Sequence, residues 1–262
     1  MSRINKISII IPALNEEKSI EKVIDAIREK MPSAEIIVVD DGSSDKTAEK
    51  AYNKGVKVIK HMYNLGYGAA LKTGIKNANG EIVAFLDADG TYPPIVIPDM
   101  VRKLNEGYDL VVGNRLKFKG NFIANSIIRK IGNEIFAFVI SFYSKKNVGD
   151  CGSGLRVFKK EKLEKIIPCL PDGLNFTPAM TIHCLFNNIK YLEIPIPYFK
   201  RVGKSKLKVL RDGIRFIITI YREIDVYKPF NVLGKLGFIL LLFGELCGIW
   251  LLNDLIRRML TR

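Results

Sequence analysis

Apolar residues fall in two alternating rhythms over the first 112 residues. Residues 6–12 form an almost unbroken apolar run of strand length, and Ile20, Val23, Ile24, Ile27 and Met31 follow at helical spacing over 17–31. Residues 35–39 (Glu-Ile-Ile-Val-Val) read as a second buried strand ending at Asp40-Asp41, with Ser43 or Ser44 placed to cap a helix over 45–54. The series continues with a short strand over 56–60, a helix over 66–78 and a strand over 82–86 ending at Asp87. A turn or helix then runs from Pro93-Pro94 to Glu106, and a fifth strand covers 110–112. Short apolar runs that alternate with amphipathic helices predict an α/β fold: a mainly parallel sheet with helices on both faces. Ligands of such sheets sit beyond the carboxyl ends of the strands. Asp40-Asp41 and Asp87-Ala88-Asp89 both fall there, so they should converge on one crevice.

After residue 113 the rhythm changes. Residues 121–143 are strongly apolar with Arg129 and Lys130 between, and residues 207–224 alternate Leu207, Val209, Leu210, Ile214, Phe216, Ile217, Ile218 and Ile220 with Lys208, Arg211, Arg215 and Arg222. Basic amphipathic helices of this kind lie in membrane interfaces; two core helices of a larger α/β domain are the alternative. Residues 236–252 carry one charge, Glu245, and at 17 residues sit at the lower limit for a bilayer span. Apolar on nearly all sides, this stretch reads as a C-terminal hydrophobic helix. Gly244-x-x-x-Gly248 in it would allow a homo-oligomer through close helix contact. The expected organisation is therefore one catalytic domain over 1–228 and a membrane helix with a basic tail over 229–262.

Composition sharpens this division. The mean hydropathy of +0.10 is high for a purely soluble chain. The net charge of +14 is uneven: residues 1–112 hold 15 Lys and Arg against 16 Asp and Glu, whereas residues 113–262 hold 26 against 11. A basic second half interleaved with apolar residues suits phosphates, anionic lipid or nucleic acid. Four cysteines without a CxxC pair exclude a disulfide scaffold or a structural zinc site as the default. With only two histidines, His61 and His183, which lack any partner motif, His-centred catalysis has little material.

The acidic strand ends carry the chemistry. Asp87 and Asp89, one residue apart, suit a hard divalent cation, which binds through one or two carboxylates plus substrate phosphates. Asp40-Asp41 fits either a turn before a capped helix or a pair of acceptors for ribose hydroxyls or a base. Asn64-Leu65-Gly66-Tyr67-Gly68 is a GxG turn whose glycines would let backbone approach a ligand; no Gly-Lys-Ser/Thr follows, so it is not a Walker A loop. Arg115, Arg129, Arg156, Arg201, Lys204 and Lys206 are candidate phosphate ligands, with Arg201-Val-Gly-Lys-Ser-Lys206 as a cationic loop.

Taken together and in order, Ile-Pro-Ala-Leu-Asn-Glu-Glu (11–17), Asp-Asp-Gly-Ser-Ser-Asp (40–45), Asn-Leu-Gly-Tyr-Gly-Ala-Ala (64–70), Asp-Ala-Asp-Gly-Thr-Tyr-Pro-Pro (87–94) and Val-Gly-Asn-Arg (112–115) resemble the family 2 inverting glycosyltransferases. Within them the chain is most similar to the dolichyl-phosphate mannose and glucose synthases, over roughly residues 6–230. The resemblance implies a GT-A fold, a GDP- or UDP-linked sugar donor, a polyprenyl (dolichyl) phosphate acceptor and Mg²⁺ or Mn²⁺ at Asp87 and Asp89. It also implies nucleotide-sugar contacts from Pro12, Ala13, Glu16, Asp41, Asp87, Ala88, Asp89, Arg201 and Lys206, and acceptor-phosphate contacts from Arg115 and Arg129. Gly90-Thr91-Tyr92 departs from the Leu-Gln-His common in the mannose synthases, and Ala179 stands where many relatives carry an acidic residue.

The implied reaction is an in-line displacement at the anomeric carbon. An acceptor phosphate is already ionised near neutral pH and needs positioning and charge balance rather than a strong base. A sugar hydroxyl acceptor would instead need a carboxylate base, for which Asp150 is the candidate. Two further readings stand beside these. Asp-Ala-Asp-Gly-Thr mimics the nucleophile motif of haloacid-dehalogenase-like phosphatases, and the basic half fits a lipid- or nucleic-acid-binding module without catalysis. A nucleotide-sugar site places the catalytic domain on the cytoplasmic side of a membrane, in contact with lipid and not with nucleic acid.

Overall fold

The structure, a computed structural model, describes residues 6–118, 127–203 and 209–229, and beyond them 234, 237, 240–245 and 247–248. Seven strands form one sheet: β1 (Ile7–Ala13), β2 (Glu35–Asp40), β3 (Lys57–Lys60), β4 (Ile82–Phe85), β5 (Leu110–Asn114), β6 (Arg156–Lys159) and β7 (Tyr191–Pro195). The helices are α1 (Ile20–Lys30), α2 (Thr47–Asn53), α3 (Tyr67–Lys76), α4 (Ile97–Asn105), α5 (Ile127–Ser144), α6 (Lys160–Leu163), α7 (Phe176–Phe186) and α8 (Val209–Tyr227).

The strand order is β3-β2-β1-β4-β6-β5-β7. β1, β2, β3 and β4 pair in parallel, as do β5 and β7, while β6 runs antiparallel to both β4 and β5. The mainly parallel sheet is thus as expected, with β6 the exception. Strand side chains alternate between faces, which splits the core in two. Ile9 and Ile11 pack with Ile24 and Ile27 of α1 and Met100 and Leu104 of α4. Ile10, Val83 and Phe85 pack on the other face with Leu71 and Ile75 of α3 and Phe176 and Met180 of α7. Both faces are covered, which is why β1 and β4 are apolar at consecutive positions.

This topology gathers one edge. The carboxyl ends of β1, β2, β4, β5 and β7 and the amino end of β6 all point the same way. Between β2 and β4 the chain leaves β1 in opposite directions, the switch point where α/β sheets open a crevice. Pro12-Ala13, Asp40-Asp41, Asp87–Asp89, Asn114-Arg115, the loop before β6 and the segment after β7 all end there.

One local expectation changes, and two others fall partly outside the described residues. Neither Ser43 nor Ser44 caps α2. Asp45 Oδ1 accepts from the Thr47 N–H at 2.9 Å, while Ser43 donates to Asp40 and Ser44 to Asn15. The helix placed over 121–143 is described from Ile127, and residues 119–126 lie outside the described residues. The hydrophobic stretch 236–252 is described only in part: Leu240–Glu245 are helical, with Leu240, Leu241, Leu242 and Phe243 exposed. Among the described residues, no helix is long and apolar enough to cross a membrane.

Candidate active site

One cleft of about 910 Å³ runs along the gathered edge, and Pro12, Ala13, Glu16, Asp41, Asp87, Ala88, Asp89, Arg115 and Arg201 all line it. The two acidic strand ends therefore meet in one crevice. Lys206 lies outside the described residues, as does the Arg129 side chain, whose backbone belongs to α5.

Asp87 follows β4 after Leu86. Its Oδ1 accepts from the Tyr67 hydroxyl at 2.9 Å. Burial, reinforced by the neighbouring Asp89 charge, pushes its carboxyl up to about 7. Asp89 Oδ1 accepts from both the N–H and the hydroxyl of Thr91, at 3.0 and 2.6 Å, so Thr91 orients it. The other oxygen faces Arg201 Nη1 at 3.2 Å, and Arg201 Nη2 also donates to Glu16 Oε1. Backbone bonds hold the Arg201 segment down: Phe199 N–H to Thr91 O at 2.9 Å and Val202 N–H to Asp89 O at 3.1 Å. Gly154 covers Asp87 from the loop before β6; a Cβ there would lie 2.6 Å from Asp87 Oδ2.

Asp41 sits on the cleft wall with both oxygens engaged. Oδ1 lies 2.8 Å from His61 Nδ1 and accepts from the Leu65 N–H at 2.9 Å; Oδ2 accepts from the Gly66 N–H at 2.9 Å. His61 Nε2 in turn lies 3.0 Å from Thr73 Oγ1 of α3. The GxG turn is thus tied to the β2 end. Its glycines admit protein backbone: a Cβ on Gly66 would lie 2.4 Å from Asp172 O, and one on Gly68 2.2 Å from Pro171 O, while Gly66 also lines the cleft. The loop 171–173 rests its backbone on the start of α3, with the Ala69 N–H bonded to Asp172 O at 3.1 Å.

Arg115 forms the opposite wall. Its Nε and Nη2 meet Asp150 Oδ2 and Oδ1 at 2.7 and 2.8 Å, a bidentate fork, and its backbone N–H reaches Oδ2 at 3.1 Å. The guanidinium also lies over the Tyr198 ring, 5.3 Å from its centroid, and Tyr198 packs edge-on against Tyr92. Asp150, the candidate base for a hydroxyl acceptor, is wholly buried with the Arg115 guanidinium on both oxygens, and in this arrangement it positions the arginine. The reading of Arg156 as a phosphate ligand is corrected. Arg156 is wholly buried, and its guanidinium donates to Ser153 O, Thr181 Oγ1 and Cys151 O, which fixes the loop before β6 and leaves it unable to meet a phosphate.

Past Arg115 the cleft becomes apolar. Phe136 of α5 and Ile214, Phe216 and Ile217 of α8 line it together with Leu174 and Phe199, with Lys130 and Arg215 beside them. Ala179 lies in the core, wholly buried, and the α7 residues that reach the cleft are Thr177 and Pro178. Among the described residues, each carboxylate that lines the cleft is already engaged: Glu16 and Asp89 by Arg201, Asp41 by His61, Leu65 and Gly66, and Asp87 by Tyr67.

The order of these elements matches a known family: residues 8–167 fit the family model described as "Glycosyl transferase family 2". The chain belongs to glycosyltransferase family 2. It is 30% identical over 249 residues to a dolichol-phosphate mannosyltransferase of Pyrococcus furiosus, covering 89% of this chain and 70% of that one. It is 31% identical over 208 residues to a dolichyl-phosphate hexose transferase of Haloferax volcanii, covering 79% and 89%. Its fold is similar to glucosyl-3-phosphoglycerate synthase of Mycobacterium tuberculosis, solved with Mn²⁺, UDP-glucose and phosphoglyceric acid. The TM-score is 0.67 at 23% identity, covering 84% of this chain and 80% of that one.

As a family 2 glycosyltransferase, the chain is an enzyme, which sets aside the phosphatase and binding-module readings. Its fold is GT-A-like. Several parts of the glycosyltransferase site escaped sequence reasoning. Tyr67 and Tyr92 stand inside the marked motifs without a role of their own and Tyr198 outside them, because a tyrosine that orients a neighbouring side chain leaves no spacing signal. The Arg115–Asp150 pair spans 35 positions and shows no periodic signal.

Proposed function

We propose that this glycosyltransferase moves a hexosyl residue from a GDP- or UDP-linked sugar to a polyprenyl phosphate, with inversion at the anomeric carbon. One observation carries the reading. The cleft joins an acidic end, with no unengaged carboxylate among the described residues, to a cation and an apolar mouth. Such a cleft, whose carboxylates are committed to protein partners and to the floor under the diphosphate, suits an acceptor that arrives ionised and lipid-tailed. The names of the Pyrococcus and Haloferax relatives, both polyprenyl-phosphate transferases, agree with it.

In this reading Pro12, Ala13, Glu16 and Asp41 hold the nucleoside, and Arg201 and Lys206 the diphosphate. Arg115, with Arg129, meets the acceptor phosphate, and Asp150 keeps the Arg115 fork aimed at it. Asp87, Ala88 and Asp89 form the floor under the diphosphate. Two adjacent carboxylates, one pushed up to about 7 by burial and the other's charge, fit a divalent cation, whose charge would relieve that repulsion. Mg²⁺ or Mn²⁺ bound there supplies charge neutralisation for the diphosphate leaving group. The protein's own contribution is orientation: Tyr67 and Thr91 fix the two carboxylates, and the apolar mouth excludes water from the reacting phosphate. The exposed apolar residues of α5 and α8 rest on the membrane that holds the acceptor, with the catalytic domain over 1–228 on its cytoplasmic side. A hydrophobic helix within 229–262 anchors the chain.

Membranes containing the full chain, incubated with labelled GDP- and UDP-sugars and dolichyl phosphate, test this. The expected product is a labelled lipid with an anomeric configuration opposite to the donor's. Label that reaches only water-soluble acceptors, or a retained configuration, would overturn it.

A further inference from the structure

Glu193 lies on β7, opposite Val112 of β5, with 5% of its side chain exposed and no place in the cleft wall. It nevertheless holds both segments that set Arg115. On one side, the Gly149 N–H donates to Oε1 and Oε2 at 2.9 and 3.0 Å, and the Asp150 N–H to Oε1 at 3.1 Å. On the other, Asn114 Nδ2 donates to Oε2 at 2.6 Å, while Asn114 Oδ1 accepts from the N–H groups of Leu116 and Lys117 at 2.8 and 3.0 Å. The Tyr191 hydroxyl adds a fourth donor, at 2.5 Å.

We propose that Glu193 is the positioning residue for Arg115: one buried carboxylate pins the 149–150 loop and the 114–117 turn together, and so fixes the Asp150–Arg115 fork at the cleft. The proposal rests on the reading that Arg115 meets the acceptor phosphate. Its physical basis is that residues 149–150 and 115–117 are not regular structure. Loop backbone with unpaired N–H groups is costly to bury. A carboxylate that accepts several N–H bonds supplies charge-assisted partners, roughly twice as strong as neutral ones. Gly149 shows how closely the loop is seated: a Cβ there would lie 2.4 Å from Asn114 Nδ2 and 2.7 Å from Glu193 Oε2. Without the anchor, Arg115 recovers rotamer freedom that Asp150, on a loosened loop, no longer removes.

Glu193→Gln keeps the shape but loses the charge and turns an amide toward donors. In the full chain it should raise the KM for polyprenyl phosphate about tenfold, the effect of one lost charge-assisted hydrogen bond, and leave the donor KM unchanged. In an Arg115→Ala background the same substitution should add nothing to the acceptor KM. An equal rise in both KM values, or an undiminished effect in that background, would overturn the proposal. The Nε–H signal of Arg115 in ¹⁵N-arginine spectra, assigned by its loss in Arg115→Lys, separates this proposal from the reading beneath it. A signal unmoved by Glu193→Gln sinks the positioning role. A moved signal beside an acceptor KM that Arg115→Ala leaves unchanged upholds the link and refutes the acceptor assignment. Tyr191→Phe, a milder loss at the same carboxylate, should move the signal in the same direction and serves if Glu193→Gln fails to fold.

Discussion

Arg201 Nη1 stands 3.2 Å from Asp89 Oδ2, on one of the two carboxylates proposed to hold a cation, while Nη2 is held by Glu16. The guanidinium thus neutralises the acidic floor when nothing else does. Its Nε is buried with no partner among the described residues, so the ion pair is an incomplete resting place. Arg201→Ala should therefore have opposite effects on two ligands. Mn²⁺ alone should bind several-fold more tightly, read by electron paramagnetic resonance, because a competing charge is gone. Nucleoside diphosphate with metal should bind about tenfold more weakly in calorimetry, the loss of one charged contact. A parallel change in both affinities would show that Arg201 does not exchange between Asp89 and the diphosphate.

The raised Asp87 carboxyl sets a pH dependence. A folded-state value near 7, above the ordinary value of 3.8, means the metal-free native state holds a proton that the unfolded chain has released. That contribution is full below pH about 4 and is lost as pH rises to about 7, so Asp87 makes the metal-free protein less stable across that window. A divalent cation binds the ionised form and must displace the proton. The rise in Tm on adding Mg²⁺ or Mn²⁺ should therefore be larger at pH 7.5 than at pH 5.5. Asp87→Asn should flatten both dependences, and equal metal-induced shifts at the two pH values would refute this account.

Removing Arg115 leaves Asp150 buried with an uncompensated charge. Breaking one side of such a pair costs about 3–5 kcal/mol. Arg115→Ala should lower stability by that order in urea unfolding, and adding Asp150→Asn should recover a large part of it. In enzyme assays the double variant should remain as poor with the lipid acceptor as the single one. Stability returns with the neutral partner, whereas the charge proposed to meet the acceptor phosphate does not. Restored acceptor use would contradict the role given to Arg115.

The first five strands were legible because each is a short apolar run closed by an acidic or polar residue, and parallel strands buried on both faces leave that signature. Asp41, Asp87 and Asp89 were legible for the same reason: they end such runs. β6 was not, since its four residues start at Arg156, a charged residue that is wholly buried through carbonyl and hydroxyl partners. α7 was hidden because Phe176–Leu185 are buried all round, so no 3.6-residue periodicity shows. Glu193 and Asn114, 79 positions apart, meet only because β5 and β7 pair. The GxG turn was found, but the 171–173 backbone that its glycines admit was not, because sequence cannot tell whether the close neighbour of a glycine is a ligand or the chain itself.

That last distinction is open to mutation. Gly66 has φ +111° and Gly68 sits against Pro171 O, so neither admits a Cβ without moving the 171–173 backbone. Gly68→Ala should destabilise by about 1–3 kcal/mol, the usual cost of overpacking, with increased amide exchange at Ala69, whose N–H bonds Asp172 O. Nucleotide affinity should change little in the fraction that stays folded. A large affinity loss at unchanged stability would show that ligand approach rather than packing governs Gly68.

The apolar residues of α5 and α8 are not scattered. Ile131, Ile135, Phe138 and Phe142 are exposed at spacings of four, three and four along α5, which makes one stripe. Ile214, Ile217 and Ile218 do the same on α8, and the ring contact between Phe136 and Phe216 sets the two helices side by side at the apolar end of the cleft. Each such side chain left in water forgoes about 1.5–3 kcal/mol of burial, a cost that contact with a bilayer surface would remove. Lys130 and Arg215 beside the stripe favour anionic headgroups. Ile135→Asp with Ile217→Asp should therefore weaken transfer to dolichyl phosphate in vesicles much more than transfer to a short-chain, water-soluble prenyl phosphate. Nucleotide binding should stay as in the parent, since neither residue lies near Asp41 or Asp89 in the chain or at the acidic end. Equal activity of the double variant with both acceptors, relative to the parent, would show that this surface does not meet the membrane.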